Sequence, residues 1–296
     1  MAEILTIVVT FNGMQWIERC LKTAFESKEE TDVMVIDNAS EDGTADWVLA
    51  NHPDVLLRRN EENIGFGAAN NIGLKYALEN GYNFVYLLNQ DAWVFPETLS
   101  ALKRALVDRS LKAGIASPMQ MDAKLSKMDS QFRKKCGKLV NASDSETVVV
   151  PFVMASHWMI SRQCLMAVGG FSPAFPHYGE DNDFIHRAAW YGYSAVVVKS
   201  AMAVHDRSTR KRPKEYRMNL KNINARVAVA NPKNIPLFTI LGQTFKLAGM
   251  GCLHFSTIPW KGIGQMWSSF KELRNVRKEA RKECAFLEWK SAEDNA

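Results

Sequence analysis

The sequence predicts an α/β protein: a mostly parallel mixed sheet flanked by helices, with a helical C-terminal extension. Two observations carry that expectation. From Ile4 to Leu88, short β-branched apolar runs alternate with stretches of helical apolar spacing, and strands joined through helices need crossover connections and a sheet covered on both faces. From Lys214 onward helical patterning takes over, broken around Pro232, Pro236 and Pro259.

The elements follow in order. Ile4 to Val9 is a buried strand. Gly13 to Phe25 places Trp16, Ile17, Cys20, Leu21 and Phe25 at helical spacing. Asp32 to Asp37 is a second strand, closed by the polar cluster Asn38 to Thr44 that starts a helix over Ala45 to Asn51. Val55 to Arg59 is a third strand, Ala68 to Asn80 a helix, and Phe84 to Leu88 a fourth strand running into Asn89-Gln90-Asp91. Lys124 to Asn141 is polar and basic and reads as a flexible excursion. Val148 to Val153, Met159-Ile160 and Ala195 to Val198 are further strands, with Pro151 suited to a sheet edge. In such a sheet the ligand lies outside the carboxyl ends of the strands. Thr10, Asn12, Asp37 to Asp42 and Asn89 to Asp91 all fall on that edge.

Composition sets outer bounds. The 296 residues suit one α/β domain over 1–212 and a helical basic and aromatic extension over 213–296. A net charge of +5 suits an anionic ligand or an acidic membrane surface without demanding either, and no nucleic-acid partner is expected. Cys20, Cys136, Cys164, Cys252 and Cys284 are dispersed, with no CxxC pair, which points to a reducing cytoplasm rather than a disulfide or zinc framework. The apolar run at the N-terminus is too short for a secretory signal and carries Glu3 where such a signal has a cation. No apolar run reaches the length of a membrane span.

The densest chemistry is His177-Tyr178-Gly179-Glu180-Asp181-Asn182-Asp183 at the start of a helix. A helix N-terminus favours negative charge, and Asp181 or Asn182 would serve as a cap. Capping does not account for adjacent Glu180 and Asp181. Asn89 and Asp91, two apart in extended chain, point to one face, where they would hold a hard divalent cation or simply form a turn. His205 follows another apolar strand and is a ligand or a structural histidine, depending on whether the fold carries it to Asp91. Trp158 sits in a polar break between strands and is a sugar-stacking candidate, whereas Trp190 at helical spacing reads as core.

Taken together, Val8 to Asn12, Val35 to Thr44, Asn63 to Asn70, Leu87 to Asp91, and Gly169-Gly170-Phe171 followed by Gly179 to Asp183 resemble family 2 glycosyltransferases of the GT-A, Rossmann-like fold. The nearest look is to bacterial rhamnosyltransferase-like members that build surface polysaccharides. The resemblance implies that Thr10, Asn12, Asp37, Asn38 and Ser40 hold the nucleotide, with Asn63, Gly65 and Asn70 on the nucleotide and donor-sugar side. It implies Mg²⁺ or Mn²⁺ bound by Asp91 and His205 with Asn89, where the family commonly has a second Asp. Asp181 is then the general base of an inverting transfer, with Glu180 orienting the acceptor or the base. Asp183 and Trp158 are assigned to the acceptor side.

The expected partners are a uridine- or deoxythymidine-diphosphate sugar and a glycan or lipid-linked acceptor, in the cytoplasm and peripherally on the inner face of the membrane. The C-terminal region is read as a surface on anionic lipid, a helical cap or a homodimer contact. Two other readings compete. A sugar nucleotidyltransferase would want a basic glycine-rich loop after the first strand, which Thr10-Phe11-Asn12-Gly13 lacks. A nucleotide-sugar-binding protein without catalysis is suggested by Asn89 and opposed by the intact Glu180-Asp181 pair.

Overall fold

The computed structural model describes residues 2–208 and 215–287. Nine strands form one sheet in the order β3-β2-β1-β4-β8-β6-β9-β5, with β7 also paired to β9. β1 (Ile4–Thr10), β2 (Thr31–Asp37), β3 (Leu56–Arg59) and β4 (Phe84–Asn89) are mutually parallel. Beyond β4 the sheet turns mixed. β8 (His157–Ser161) runs antiparallel to both β4 and β6 (Ala113–Met121), while β9 (Ser194–His205) is parallel to β6. β5 (Ala92–Val94) and β7 (Thr147–Val150) pair antiparallel with β9, and β7 stops just before Pro151.

Side chains along each strand point alternately to two cores, the period-two geometry of a strand. On β4, Val85 and Leu87 enter the core beneath α3 (Phe66–Glu79), α7 (Arg162–Val168) and α8 (Glu180–Trp190). Phe84, Tyr86 and Leu88 enter the opposite core, beneath α1 (Met14–Phe25), α2 (Thr44–Asn51) and α4 (Thr98–Val107). A sheet buried on both faces explains why the strands read as continuous apolar runs.

Residues 124–141, expected as a flexible excursion, instead contain short helical turns: α5 (Ser130–Phe132), a π-helical turn (Arg133–Gly137) and α6 (Lys138–Ala142). Phe132, Cys136 and Val140, spaced four apart among lysines and arginines, bury one face into the sheet core. The Asp129 carboxylate accepts from the amides of Gln131 and Phe132 and starts the first turn.

After β9 come α9 (Tyr216–Ala230), α10 (Pro236–Leu253), α11 (Ile258–Ser268) and α12 (Phe270–Glu279), packed around their own core of Val227, Val229, Ile240, Leu247, Met266 and Leu273. The expected boundary at 212/213 lies outside the described residues, as does Lys214. The closing turn after α12 returns to the main body, where the Gly170 amide donates to the Ala285 carbonyl.

Candidate active site

Two cavities meet on the carboxyl edge of the parallel strands. One, of about 320 Å³, is lined by Phe11, Trp16, Asn38, Asn63, Gly65, Gln90, Asp91 and His177. The other, of about 300 Å³, is lined by Gln131, Lys135, Tyr178, Glu180, Asp181, His205, Arg207, Tyr216 and Asn224. Phe66 and Asn89 belong to both.

The first cavity rests on a hydrogen-bonded frame. The Thr10 hydroxyl donates to Asp37 at 2.7 Å, and Ser40 donates to the same carboxylate through its amide and hydroxyl. The Ser40 hydroxyl accepts from the Asn12 amide, and Asn12 Oδ1 accepts from the Glu41 amide. These bonds fix the loops after β1 and β2 against each other, with Thr10 and Asp37 buried. Asn38 donates to the Gly65 carbonyl, and Asn63 Oδ1 accepts from the Gly65 amide. Gly65 has φ +85°, in the left-handed region where a side chain is strained, and a Cβ there would lie 3.2 Å from the Pro176 carbonyl oxygen. Asn70 differs from expectation. It is buried in α3 with its amide donating to the Phe66 carbonyl, so it holds its own helix and reaches neither cavity.

At the junction, β5 pairs with the end of β9 so that the Asp206 amide donates to the Asp91 carbonyl. His205 Nε2 comes within 3.3 Å of the Asp91 carboxylate, and both residues are buried. Asn89 Oδ1 is buried without a hydrogen-bond partner among the described residues. A buried polar atom normally has a partner, so an amide oxygen left over beside a carboxylate and an imidazole fits a hard cation. Among the described residues no group of three or more His, Cys, Asp or Glu gathers, so further ligands would be diphosphate oxygens or water.

Beneath His205 lies a device that local sequence gave no sign of. The Tyr86 hydroxyl and His157 Nδ1 are 2.7 Å apart, and His157 Nε2 is 3.0 Å from the Val204 carbonyl. A carbonyl only accepts, so Nε2 carries the proton and Nδ1 accepts from Tyr86. Burial, reinforced by the neighbouring His205 imidazole, pushes the His157 pKa down to about 3. A neutral His157 thus bridges β4, β8 and β9, and it fixes the strand end that carries His205.

The second cavity holds the acidic pair. α8 begins at Glu180 with Gly179 as its N-cap and no side-chain cap, so the capping role open to Asp181 and Asn182 is not taken. Gly179 sits at φ +94°, and a Cβ there would lie 2.8 Å from Ile223 of α9. Only glycine lets the helices meet there while turning Glu180 and Asp181 to the cavity. Glu180 Oε2 is buried without a partner among the described residues. Burial raises both carboxyl pKa values, and for Glu180 the adjacent Asp181 adds to the rise. The Asn182 amide, which donates to Asp181 at 2.8 Å, pulls Asp181 the other way, and the charges of Lys135 and Arg207 add to that pull. The two adjacent carboxyls therefore titrate as a pair, above the ordinary carboxylate range. Arg207 is placed by Asp129, 3.3 Å away, so the helical turns of 130–142 form the wall that sets the field at Asp181. Neither Lys135 nor Arg207 stood out in the sequence, because their proximity to Asp181 is purely tertiary.

Both acceptor-side assignments are corrected. Asp183 is fully buried and pairs with Arg187 Nε at 2.8 Å, while the Arg187 guanidinium also donates to the carbonyls of Val168 and Gly170. Trp158 lies inside β8 and is fully buried against Phe171 and Phe184, with ring centroids 6.3 and 5.6 Å away. Neither leaves a face for a sugar. Trp190, expected in the core, is 39% exposed with the Arg281 guanidinium over its ring.

Residues 6–168 match the model of glycosyl transferase family 2. The chain belongs to that family. It is a glycosyltransferase, and its nine-stranded GT-A sheet carries the family segment from β1 through α7. The glycosyltransferase is 25% identical over 242 residues to N-acetylglucosaminyl-diphospho-decaprenol L-rhamnosyltransferase of Mycobacterium tuberculosis, covering 70% of this chain and 78% of the relative. It is 32% identical over 115 residues to undecaprenyl-phosphate mannosyltransferase of Micrococcus luteus, covering 38% of this chain. That alignment spans about half, 47%, of the mannosyltransferase. Its fold matches a mannosyltransferase from Pyrobaculum calidifontis solved with GDP-Man and Mn²⁺, at a TM-score of 0.56 and 18% identity over 95% of this chain and 87% of the other.

Proposed function

We propose that this glycosyltransferase moves a sugar from a nucleoside-diphosphate sugar to a hydroxyl of a lipid-linked glycan acceptor, with inversion at the anomeric carbon. The observation that carries this reading is the meeting of two cavities at Asn89 and Phe66, with Asp91 on one side, Glu180 and Asp181 on the other, and His205 reaching from the second cavity to within 3.3 Å of Asp91. The donor occupies the cavity of Phe11 and Trp16, whose rings suit a nucleobase, and its diphosphate runs toward Asp91. The acceptor occupies the cavity of Tyr178 and Asn224. Both named relatives carry a polyprenyl phosphate or diphosphate in their names, which favours an acceptor of that class.

Asn89, Asp91 and His205 would hold Mg²⁺ or Mn²⁺. When bound, such an ion supplies a Lewis acid for the departing diphosphate. The chain's own residues do the rest. Asp181 takes the acceptor hydroxyl's proton as that oxygen attacks the anomeric carbon. Glu180, whose Oε2 is buried without a partner among the described residues, orients the acceptor through a hydrogen bond. The Asn182 amide, Lys135 and Arg207 favour the ionised form of Asp181 against its burial. A positioned base contributes about 10²–10⁴-fold. Asp181→Asn is expected to bind nucleoside diphosphate as the parent does and to lose transfer by that factor; normal turnover by the variant would exclude Asp181 as base.

A further inference from the structure

Resting on the lipid-linked acceptor of that reading, we propose that the outer face of α10, the turn that follows and the start of α11 dock on an anionic lipid bilayer. α10 is apolar on two sides. Ile240, Leu247 and Gly251 form its buried seam, while Phe238, Leu241 and Phe245, spaced three and four apart, face away from it. Phe238 is 71% exposed and Phe245 76%. The following turn presents Leu253 at 74% and Phe255 at 98%, with Phe255 in the left-handed region at φ 48°. Trp260 and Trp267 flank this surface, and the Trp267 indole donates to Thr244 of α10, tying the two helices together. A contiguous apolar patch of this kind marks an interaction surface.

Charge selects the occupant. From Tyr216 to Lys271 the chain has no Asp or Glu, yet it carries Arg217, Lys221, Arg226, Lys233, Lys246, Lys261 and Lys271. A second copy would bring cations against cations. An anionic lipid surface complements them, and tryptophans beside exposed phenylalanines suit the headgroup boundary. Among the described residues no helix is long and apolar enough to cross a membrane, so α10 lies on the bilayer rather than in it.

The surface adjoins the acceptor cavity. α9 lends Tyr216, Leu220 and Asn224 to that cavity, and Asn224 also lines a recess of about 100 Å³ with Lys221, Lys246 and Leu247. Cations between the apolar face and the cavity stand where the phosphate of a membrane-anchored acceptor would pass.

Two cations further along the chain are engaged within the helical unit itself. Arg277 and Arg281 donate to the carbonyls of Asn234 and Pro232, and Leu273 is buried.

The test uses the full chain and lipid vesicles without acceptor, either phosphatidylcholine alone or with about one-third phosphatidylglycerol. Co-sedimentation with the anionic vesicles only, weakened at least about tenfold in Phe245→Ser/Phe255→Ser with an unchanged melting temperature, is the expected result. No vesicle binding overturns the proposal, as does equal binding by the variant. A dimer that the two substitutions dissolve, without vesicle binding, overturns it in favour of a second copy. Nucleoside-diphosphate binding by the same preparation separates the two claims: vesicle binding without it leaves the surface and removes the proposed donor site.

Discussion

His205 Nε2 stands 3.3 Å from the Asp91 carboxylate because β5 pairs antiparallel with the end of β9. The pair sits at the junction of two cavities, with the orphan amide oxygen of Asn89 beside it. If these three atoms receive a cation, His205→Ala should weaken Mn²⁺-dependent binding of a nucleoside diphosphate by about 10–100-fold and leave metal-free binding unchanged. Calorimetry with and without EDTA reads both quantities. An Asn89→Asp variant, which restores a second carboxylate, should bind Mn²⁺ more tightly.

The acidic pair makes activity depend on pH. Burial raises both carboxyl groups, so the acid limb of kcat/KM should lie above the ordinary carboxylate range near about 4. A limb at the ordinary value would mean that Asp181 is not the titrating base.

The same shift has a stability consequence of the opposite sense. A carboxyl whose pKa is higher folded than unfolded favours the native state at low pH, and the benefit is lost as pH rises through the folded value. Glu180→Gln should therefore raise the melting temperature at pH 8 and change it little at pH 4. A larger gain at pH 4 would contradict the burial of an ionisable pair.

Asp183 and Arg187 form a fully buried pair. Asp183→Asn leaves the guanidinium charge uncompensated and should cost about 3–5 kcal/mol in denaturant unfolding, with donor affinity unchanged in the folded fraction. An acceptor-binding role would instead raise the acceptor KM at parental stability.

Trp158 should behave as core. Trp158→Ala is expected to cost about 3–5 kcal/mol, and Trp158→Phe, which also removes an indole nitrogen without a partner among the described residues, should keep the acceptor KM. A raised KM in the Phe variant would return Trp158 to the sugar.

The first half of the sheet was legible in the sequence because parallel strands buried on both faces read as unbroken apolar runs. Ile4–Thr10, Thr31–Asp37 and Phe84–Asn89 fall within a residue or two of expectation. Asp91 and His205, which only the family resemblance put together, lie 3.3 Å apart, and Glu180 and Asp181 line one cavity. What stayed hidden depends on distant partners. His157 and Trp158 looked like a polar break, yet Tyr86 and the Val204 carbonyl satisfy the histidine from other strands. The helical turns of 130–142 were masked by cations around Phe132, Cys136 and Val140. Asp183 shares a motif with Asp181 but points inward, toward Arg187 one turn later on α8. A run of acids does not say which of them faces the core.

The most direct test of the central claim is calorimetric titration of the protein with uridine, deoxythymidine and guanosine diphosphates, first with Mn²⁺ and then with EDTA. The account predicts that one of the three binds with 1:1 stoichiometry and that EDTA weakens it markedly. Failure of all three to bind in Mn²⁺ would contradict the assignment of the Phe11–Trp16 cavity as the donor site.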